Sequence, residues 1–158
     1  MNFSELFGNA QWVTCDSGCT SPVIKGGFFI EEPKKAEITI CGLGFFRLWI
    51  NGREVSKDKF VPVNSQYCKR DLTAFEYPIL DELSYRTYAV RYDISKFVVD
   101  GKNDIRVILG CGWFAQQKRS AEGFAKYGDI KLCYKIDVEN KSGEKYTFVS
   151  DENLEWKQ

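Results

Sequence analysis

The sequence predicts an all-β fold, an antiparallel β-sandwich with two long loops. Three observations carry this expectation. Apolar side chains recur at every second position in several short segments, turn-forming glycine dipeptides separate those segments, and no stretch holds a 3.6-residue apolar period over the roughly ten residues of an ordinary helix. Alternation reads as strand because successive side chains on an extended backbone point to opposite faces, and one face of a sheet must be buried.

Residues 1–20 are expected to be an N-terminal extension or first edge strand, and residues 21–158 a single β-sandwich domain. The first strand signal is Phe28 to Glu31. Ala36, Ile38 and Ile40 then point inward against Glu37 and Thr39, followed by Phe46, Leu48 and Ile50 inward against Phe45, Arg47 and Trp49, with Gly42 and Gly44 between the two runs. Asn51-Gly52 can take the positive φ values of a type I′ turn and joins 45–50 to Arg53–Val55 as a hairpin. A strand is expected from about Arg86 to Tyr92 and another from Asp104 to Leu109. Asp93-Ile94-Ser95-Lys96-Phe97 reads as a single capped turn between them. The clearest alternation spans 130–138: Ile130, Leu132, Tyr134, Ile136 and Val138 share one face, and Cys133 is the ambiguous outward position among Lys131, Lys135 and Asp137. Tyr146 to Val149 closes the series, and Asp100-Gly101 and Ser142-Gly143 mark reversals. Two segments resist the strand reading, 56–84 with Pro62 and Pro78, and 111–128 with Trp113, Phe114, Phe124 and Tyr127. Long loops in a compact domain are commonly functional or covered by a neighbour.

Composition bounds the chemistry. At 158 residues, 44% hydrophobic and 15% aromatic, the chain has the material for one packed core. Its 22 Lys+Arg balance 22 Asp+Glu, and the local Lys69-Arg70 is offset by Asp71, so nucleic acid is not an expected partner. No apolar stretch nears the roughly 18 residues of a membrane span, and Met1 to Ala10 lacks the basic start and apolar run of a signal peptide. The expectation is a cytoplasmic protein with no membrane partner. The sequence contains no histidine, which removes the commonest neutral-pH general base, the usual partner of a nucleophilic Ser or Cys, and most catalytic zinc sets. Six cysteines (Cys15, Cys19, Cys41, Cys68, Cys111, Cys133) are expected as free thiols, and Cys15 and Cys19 at C-x3-C spacing make only a weak metal signal without further ligands.

Gly42-Leu43-Gly44 lacks the third glycine and following helix of a dinucleotide loop, and reads as a tight strand connection. Glycoside hydrolysis needs two carboxyl groups facing across a cleft, and Asp58, Asp71, Glu76, Asp81 and Glu82 in the first long loop read instead as solvated charge. The aromatic residues say more, because flat side chains stack on the apolar C–H faces of sugars. Trp49, opposite Leu48 and Ile50, is either covered by a second sheet or domain, which is the preferred reading, or open to a ligand. Trp113 and Phe114 are either packing residues or sugar contacts.

Several segments in order resemble the amino-terminal domain of bacterial α-L-rhamnosidases, a glycoside hydrolase family. They are Ser21-Pro22-Val23-Ile24-Lys25, Ala36–Ile40 with Gly42-Leu43-Gly44, Leu48–Val55, and Val61–Tyr67, the last similar to a Pro-x-x-Thr-x-Tyr segment. Tyr92–Ser95, Gly101-Lys102-Asn103 and Leu109–Phe114 resemble the family's strand, turn and Gly-x-Gly-Trp-aromatic run, and Asp151–Trp156 its exit strand. The resemblance covers about residues 21–156. It implies a jelly-roll-like (galactose-binding-like) sandwich preceding a larger helical barrel that carries both catalytic carboxyl groups. No catalytic residue is therefore expected here. Relatives often have Asp or Asn before the Gly-Trp pair, where this chain has Cys111; a thiol is a poor ligand for a hard ion such as calcium, so no metal or other cofactor is expected.

The resulting expectation is a non-catalytic accessory domain of an α-L-rhamnosidase-like enzyme. Its parent would hydrolyse rhamnose-containing glycosides with inversion, and the domain would serve substrate recognition or packing against a C-terminal helical barrel. The alternative is a stand-alone L-rhamnose-binding module. Asn64, Tyr67, Trp113 and Phe114 are the candidate carbohydrate-binding residues, and Trp49 the candidate docking residue, whose exposed apolar surroundings would favour self-association.

Overall fold

The computed structural model describes residues 2–16, 18–69, 71–72, 84–116 and 126–158. Two five-stranded antiparallel sheets face one another. The first runs β1 (Val13–Thr14), β8 (Lys131–Asn140), β3 (Pro33–Leu43), β6 (Val90–Asp93), with β9 (Lys145–Val149) beside β1 along the same edge of β8. The second runs β10 (Glu155–Lys157), β2 (Val23–Ile30), β7 (Gly101–Gly110), β4 (Phe45–Ile50), β5 (Arg53–Glu54). The predicted sandwich is therefore the observed one.

The period-2 pattern sets which side chains meet. In the first sheet Ile38 lies opposite both Ile136 and Tyr92, and in the second Leu48 lies opposite Val107 and Ile24 opposite the same Val107 from the other side. These side chains, with Ile40, Leu132, Ile50, Ile105 and Leu109, form one core between the sheets. Shifting any of these strands by one residue would turn Glu37, Arg106 or Arg47 into that core, so the register is tightly specified.

A second, smaller cluster lies on the outward face of the first sheet. There Phe7 and Ala10 cover Cys41 and Cys133, which sit opposite each other on β3 and β8. Phe7 belongs to α1 (Phe3–Phe7), a five-residue helix absent from the sequence reading. Asn2 caps it by accepting from the Glu5 N–H at 2.9 Å, and Glu5 Oε2 accepts from the Asn2 N–H at 2.9 Å. This cover explains why a thiol occupies an outward position at residue 133. The segment is fastened by Ser150, fully buried, whose hydroxyl donates to the Gln11 carbonyl at 2.7 Å and accepts from the Tyr134 N–H at 3.0 Å.

One strand is shorter than expected. The segment beginning at Arg86 joins the sheet only at Val90, because the N–H groups of Tyr85 and Arg86 donate instead to the carbonyls of Cys68 and Gln66, at 3.4 and 2.9 Å. The long loop thus takes the backbone bonds a sheet partner would have taken. The Asn51-Gly52 turn has φ of 50° and 73°, as a type I′ hairpin requires, and Phe97 N–H closes the expected turn on the Ile94 carbonyl at 2.9 Å.

Candidate functional site

The bases of the two long loops meet in an aromatic cluster. In the second loop, Ala115 N–H donates to the Cys111 carbonyl at 3.0 Å, closing a tight turn that Gly112 enters at φ 50°. Tyr127 N–H donates to the Phe114 carbonyl at 2.9 Å, and Ala115 bridges Lys126, so the loop is pinched at its base and the two rings are brought together. Gly128 makes room for them: a Cβ there would stand 3.3 Å from the Phe114 ring. In the first loop, the Arg86 bond to Gln66 and a hydrogen bond from the Ser65 hydroxyl to the Arg86 carbonyl place Tyr67.

Tyr67 meets Phe114 edge-on, with centroids 5.0 Å apart and planes at 85°, and Tyr127 at 5.3 Å. Such pairs are favoured by the ring quadrupoles and hold the loops at a fixed separation. Burial pushes the Tyr67 hydroxyl above its ordinary value, against the opposing effect of its Ser65 partner, so it remains a protonated group able to donate. Phe114 is 8% exposed and packs against both tyrosine rings, whereas Trp113 is 49% exposed and Asn64 is exposed on the loop that carries Tyr67. The structure therefore unites Tyr67 and Phe114, adds Tyr127 as the third ring, and leaves Trp113 and Asn64 at the surface. Tyr127 was visible in the sequence only as one more aromatic residue in the second loop; nothing local to it points toward residue 67.

Trp49 stands on the outer face of the second sheet, half-buried between two cations: the Arg47 guanidinium lies 5.0 Å and that of Arg106 4.7 Å from its ring. The two arginines cover part of the apolar surface that the sequence assigned to a docking partner.

The loop carboxyl groups Glu76, Asp81 and Glu82, with Pro78 and Phe124, lie outside the described residues. Asp58 accepts from the Ser56 hydroxyl at 2.6 Å. Among the described residues two carboxyl groups are displaced from their ordinary values, and both downward: Asp93 by hydrogen bonds from Ser95, and Glu144 by those from Asn140, Tyr146 and Ser142. A general acid for glycoside cleavage needs the opposite displacement. Cys15 and Cys19 are buried in the main core, where burial, then the thiol contact with Cys19, pushes Cys15 up to about 12. Cys111 Sγ lies 3.5 Å from the Thr20 carbonyl. Among the described residues no three His, Cys, Asp or Glu side chains converge as metal ligands, and no helix is long and apolar enough to cross a membrane.

Two antiparallel sheets with an aromatic cluster at the bases of their long loops define a β-sandwich domain. The model of the α-L-rhamnosidase N-terminal domain matches residues 31–158, and the chain belongs to that family. It is 29% identical over 133 residues to an α-L-rhamnosidase of Formosa agariphila, across 81% of this chain and 12% of that protein. An α-L-rhamnosidase structure from Aspergillus terreus superposes with a TM-score of 0.77 at 21% identity, over 95% of this chain and 17% of the other. A lectin of Pleurotus ostreatus superposes with a TM-score of 0.60 at 16% identity, over 96% of this chain and 35% of the other, a likeness of fold alone. The chain spans 12% of the length of the curated relatives it matches.

Proposed function

We propose that this domain is a non-catalytic accessory unit of an α-L-rhamnosidase, recognising rhamnose-containing glycosides at the aromatic cluster while a separate helical barrel carries out hydrolysis. The observation that carries this reading is the joining of Tyr67, Phe114 and Tyr127 between two loops of a family-matched sandwich. A methyl-bearing sugar such as rhamnose presents an apolar face suited to ring stacking, and the Tyr67 hydroxyl offers it a polar partner, with Asn64 exposed three residues earlier on the same loop.

The test is a titration of the ¹⁵N-labelled chain with L-rhamnose, alongside an assay with 4-nitrophenyl α-L-rhamnopyranoside. The expected outcome is saturable shifts at Tyr67, Trp113 and Tyr127 and no turnover. Silence at high millimolar sugar would remove the recognition role; turnover that survives rigorous purification would remove the accessory one.

A second reading, a self-sufficient L-rhamnose-binding module, is favoured by the likeness to a lectin fold. It requires sugar binding by this chain alone at an affinity that adding the rest of a parent enzyme does not improve. Trp49 is the proposed contact to the helical barrel, with Arg106 beside its ring offering charge to an acidic partner surface. In the isolated chain that face is expected to drive concentration-dependent self-association, measurable by sedimentation and abolished by Trp49→Glu.

A further inference from the structure

The outer face of the second sheet holds a groove of about 630 Å³ that shares no lining residue with the aromatic cluster between the loops. Its floor is apolar, made by Phe45 of β4 and Ile108 of β7. Phe60 stands along one side with its ring edge-on to Phe45, centroids 5.4 Å apart and planes at 70°. Phe60 is 69% exposed, and its backbone sits at φ 59°, a region that bulky side chains seldom occupy. The next residue is pinned by Phe46 N–H, which donates to the Val61 carbonyl at 2.8 Å. A large ring held in a disfavoured backbone state and left in water contributes little packing. Strain of that kind concentrates at ligand-facing positions.

The charge around this floor is one-sided. Among the described residues, Arg47, Lys57 and Lys59 line the groove against one carboxylate, Glu54. Glu54 Oε1 already accepts from Arg47 Nε at 2.9 Å, so that pair is internally neutral. Neither lysine has an ion-pair partner among the described residues. Asp58 lies between them in sequence, but its carboxylate is held by Ser56 and lines a separate small cavity beside Tyr92. The groove therefore combines an aromatic wall with two ammonium groups that make no ion pair among the described residues.

We propose that this groove binds an anionic saccharide, with Phe60 and Phe45 stacking on the sugar's C–H face and Lys57 and Lys59 holding its carboxylate or sulfate. A single sugar ring can present both features at once, and the paired Arg47 and Glu54 side chains offer hydrogen bonds to neighbouring hydroxyls. A peptide adding itself as a strand would find only the two-residue β5 at this edge, too short a ladder to fix a register. The proposal does not depend on rhamnose recognition between the loops, and either can fail without the other; it competes with barrel docking at Trp49, because Arg47 both contacts that ring and lines the groove.

The experiment is a chemical-shift titration of the chain with four probes: methyl β-D-glucuronide, methyl β-D-glucoside 6-sulfate, neutral methyl β-D-glucoside and inorganic sulfate. The two charged glycosides are expected to give saturable shifts at Phe45, Lys57, Lys59 and Phe60, weakened by added salt, and the tighter of the two identifies the preferred anion. Lys57→Gln combined with Lys59→Gln is expected to weaken binding roughly tenfold, as the paired cations supply the charge selectivity. Phe60→Asn should do likewise; asparagine tolerates the left-handed backbone, so an unchanged spectrum elsewhere separates lost stacking from lost folding. Equal binding of the neutral glycoside would overturn the proposal. So would inorganic sulfate binding as tightly as the sulfated sugar, an adventitious ion only, or shifts confined to Tyr67 and Tyr127.

Discussion

Asn51 donates from its side-chain amide to Oδ1 of Asn103 across 2.7 Å, tying the β4–β5 turn to the start of β7. The same Oδ1 accepts from the Val99 N–H at 2.8 Å, and the Asn103 amide donates to the Val99 and Gly101 carbonyls at 2.8 and 3.1 Å. Asn51 completes the connection by donating to the Phe97 carbonyl and accepting from the Asp104 N–H. Two amides thereby satisfy the backbone of a reversal that has no ladder of its own, at a point where Asn103 is fully buried.

Removing Asn103 leaves the Val99 N–H and the Asn51 amide without their acceptor in a dry site. Asn103→Ala is expected to cost about 3 kcal/mol, since an orphaned buried polar group carries its full desolvation penalty. Urea unfolding should show a lower midpoint with an unchanged slope. A loss below about 0.5 kcal/mol would mean that water replaces the amide.

Gly44 and Gly52 both have positive φ, but only one is crowded. At Gly44, φ +115°, a Cβ would collide with the Gly110 carbonyl oxygen, a backbone atom that cannot yield without breaking the β4–β7 pairing. At Gly52, φ +73°, nothing stands within 4 Å. Gly44→Ala is expected to cost about 4 kcal/mol or prevent folding, and Gly52→Ala about 1 kcal/mol from backbone preference alone. Comparable melting temperatures for the two variants would contradict this.

Burial raises several thiol and phenol groups together. Cys15 and Cys41 are pushed up to about 12 and Cys133 to about 11, and Tyr134 is raised as well, each chiefly by desolvation. In the unfolded chain these groups release protons near pH 9 to 10, so above that range the unfolded state binds fewer protons than the folded one and stability falls as pH rises. The contribution is intact below pH 9 and is lost progressively up to about 12. Thermal melts should therefore be level from pH 7 to 8.5 and decline from 9 to 11. Cys41→Ala should lessen the decline, and a flat profile would show that the buried thiols ionise freely.

The parts legible in the sequence were those set by neighbours along the chain. Alternation at Ile130–Val138 fixed an inward face, and Asn51-Gly52 fixed a turn, because both signals are local. Cys133 stayed ambiguous because its cover is a helix of five residues, too short to show a period and stable only when packed on the sheet. The contact of Tyr67 with Tyr127 joins two loops distant in sequence, and no pattern within either loop encodes it. The shortened sixth strand has the same origin: whether residues 85–86 pair with a sheet or with residues 66–68 is decided by tertiary packing.

Trp113 and Phe114 are consecutive and alike in the sequence, yet the turn at Gly112 sends one outward and the other inward. Phe114→Ala removes the ring packed against Tyr67 and Tyr127 and is expected to cost about 3–5 kcal/mol, the range for a buried aromatic residue truncated in a core. Trp113→Ala should stay within about 0.5 kcal/mol of the parent, because an exposed side chain away from such features contributes little to folding. On binding the order reverses. Under the proposed recognition of L-rhamnose, Trp113→Ala is expected to weaken the sugar-induced shifts severalfold in a fully folded protein, whereas Phe114→Leu, which keeps that position filled, should leave most of the affinity. Denaturation and titration of the same two variants measure both quantities. Retention of binding in Trp113→Ala would restrict the sugar contact to the rings of Tyr67 and Tyr127.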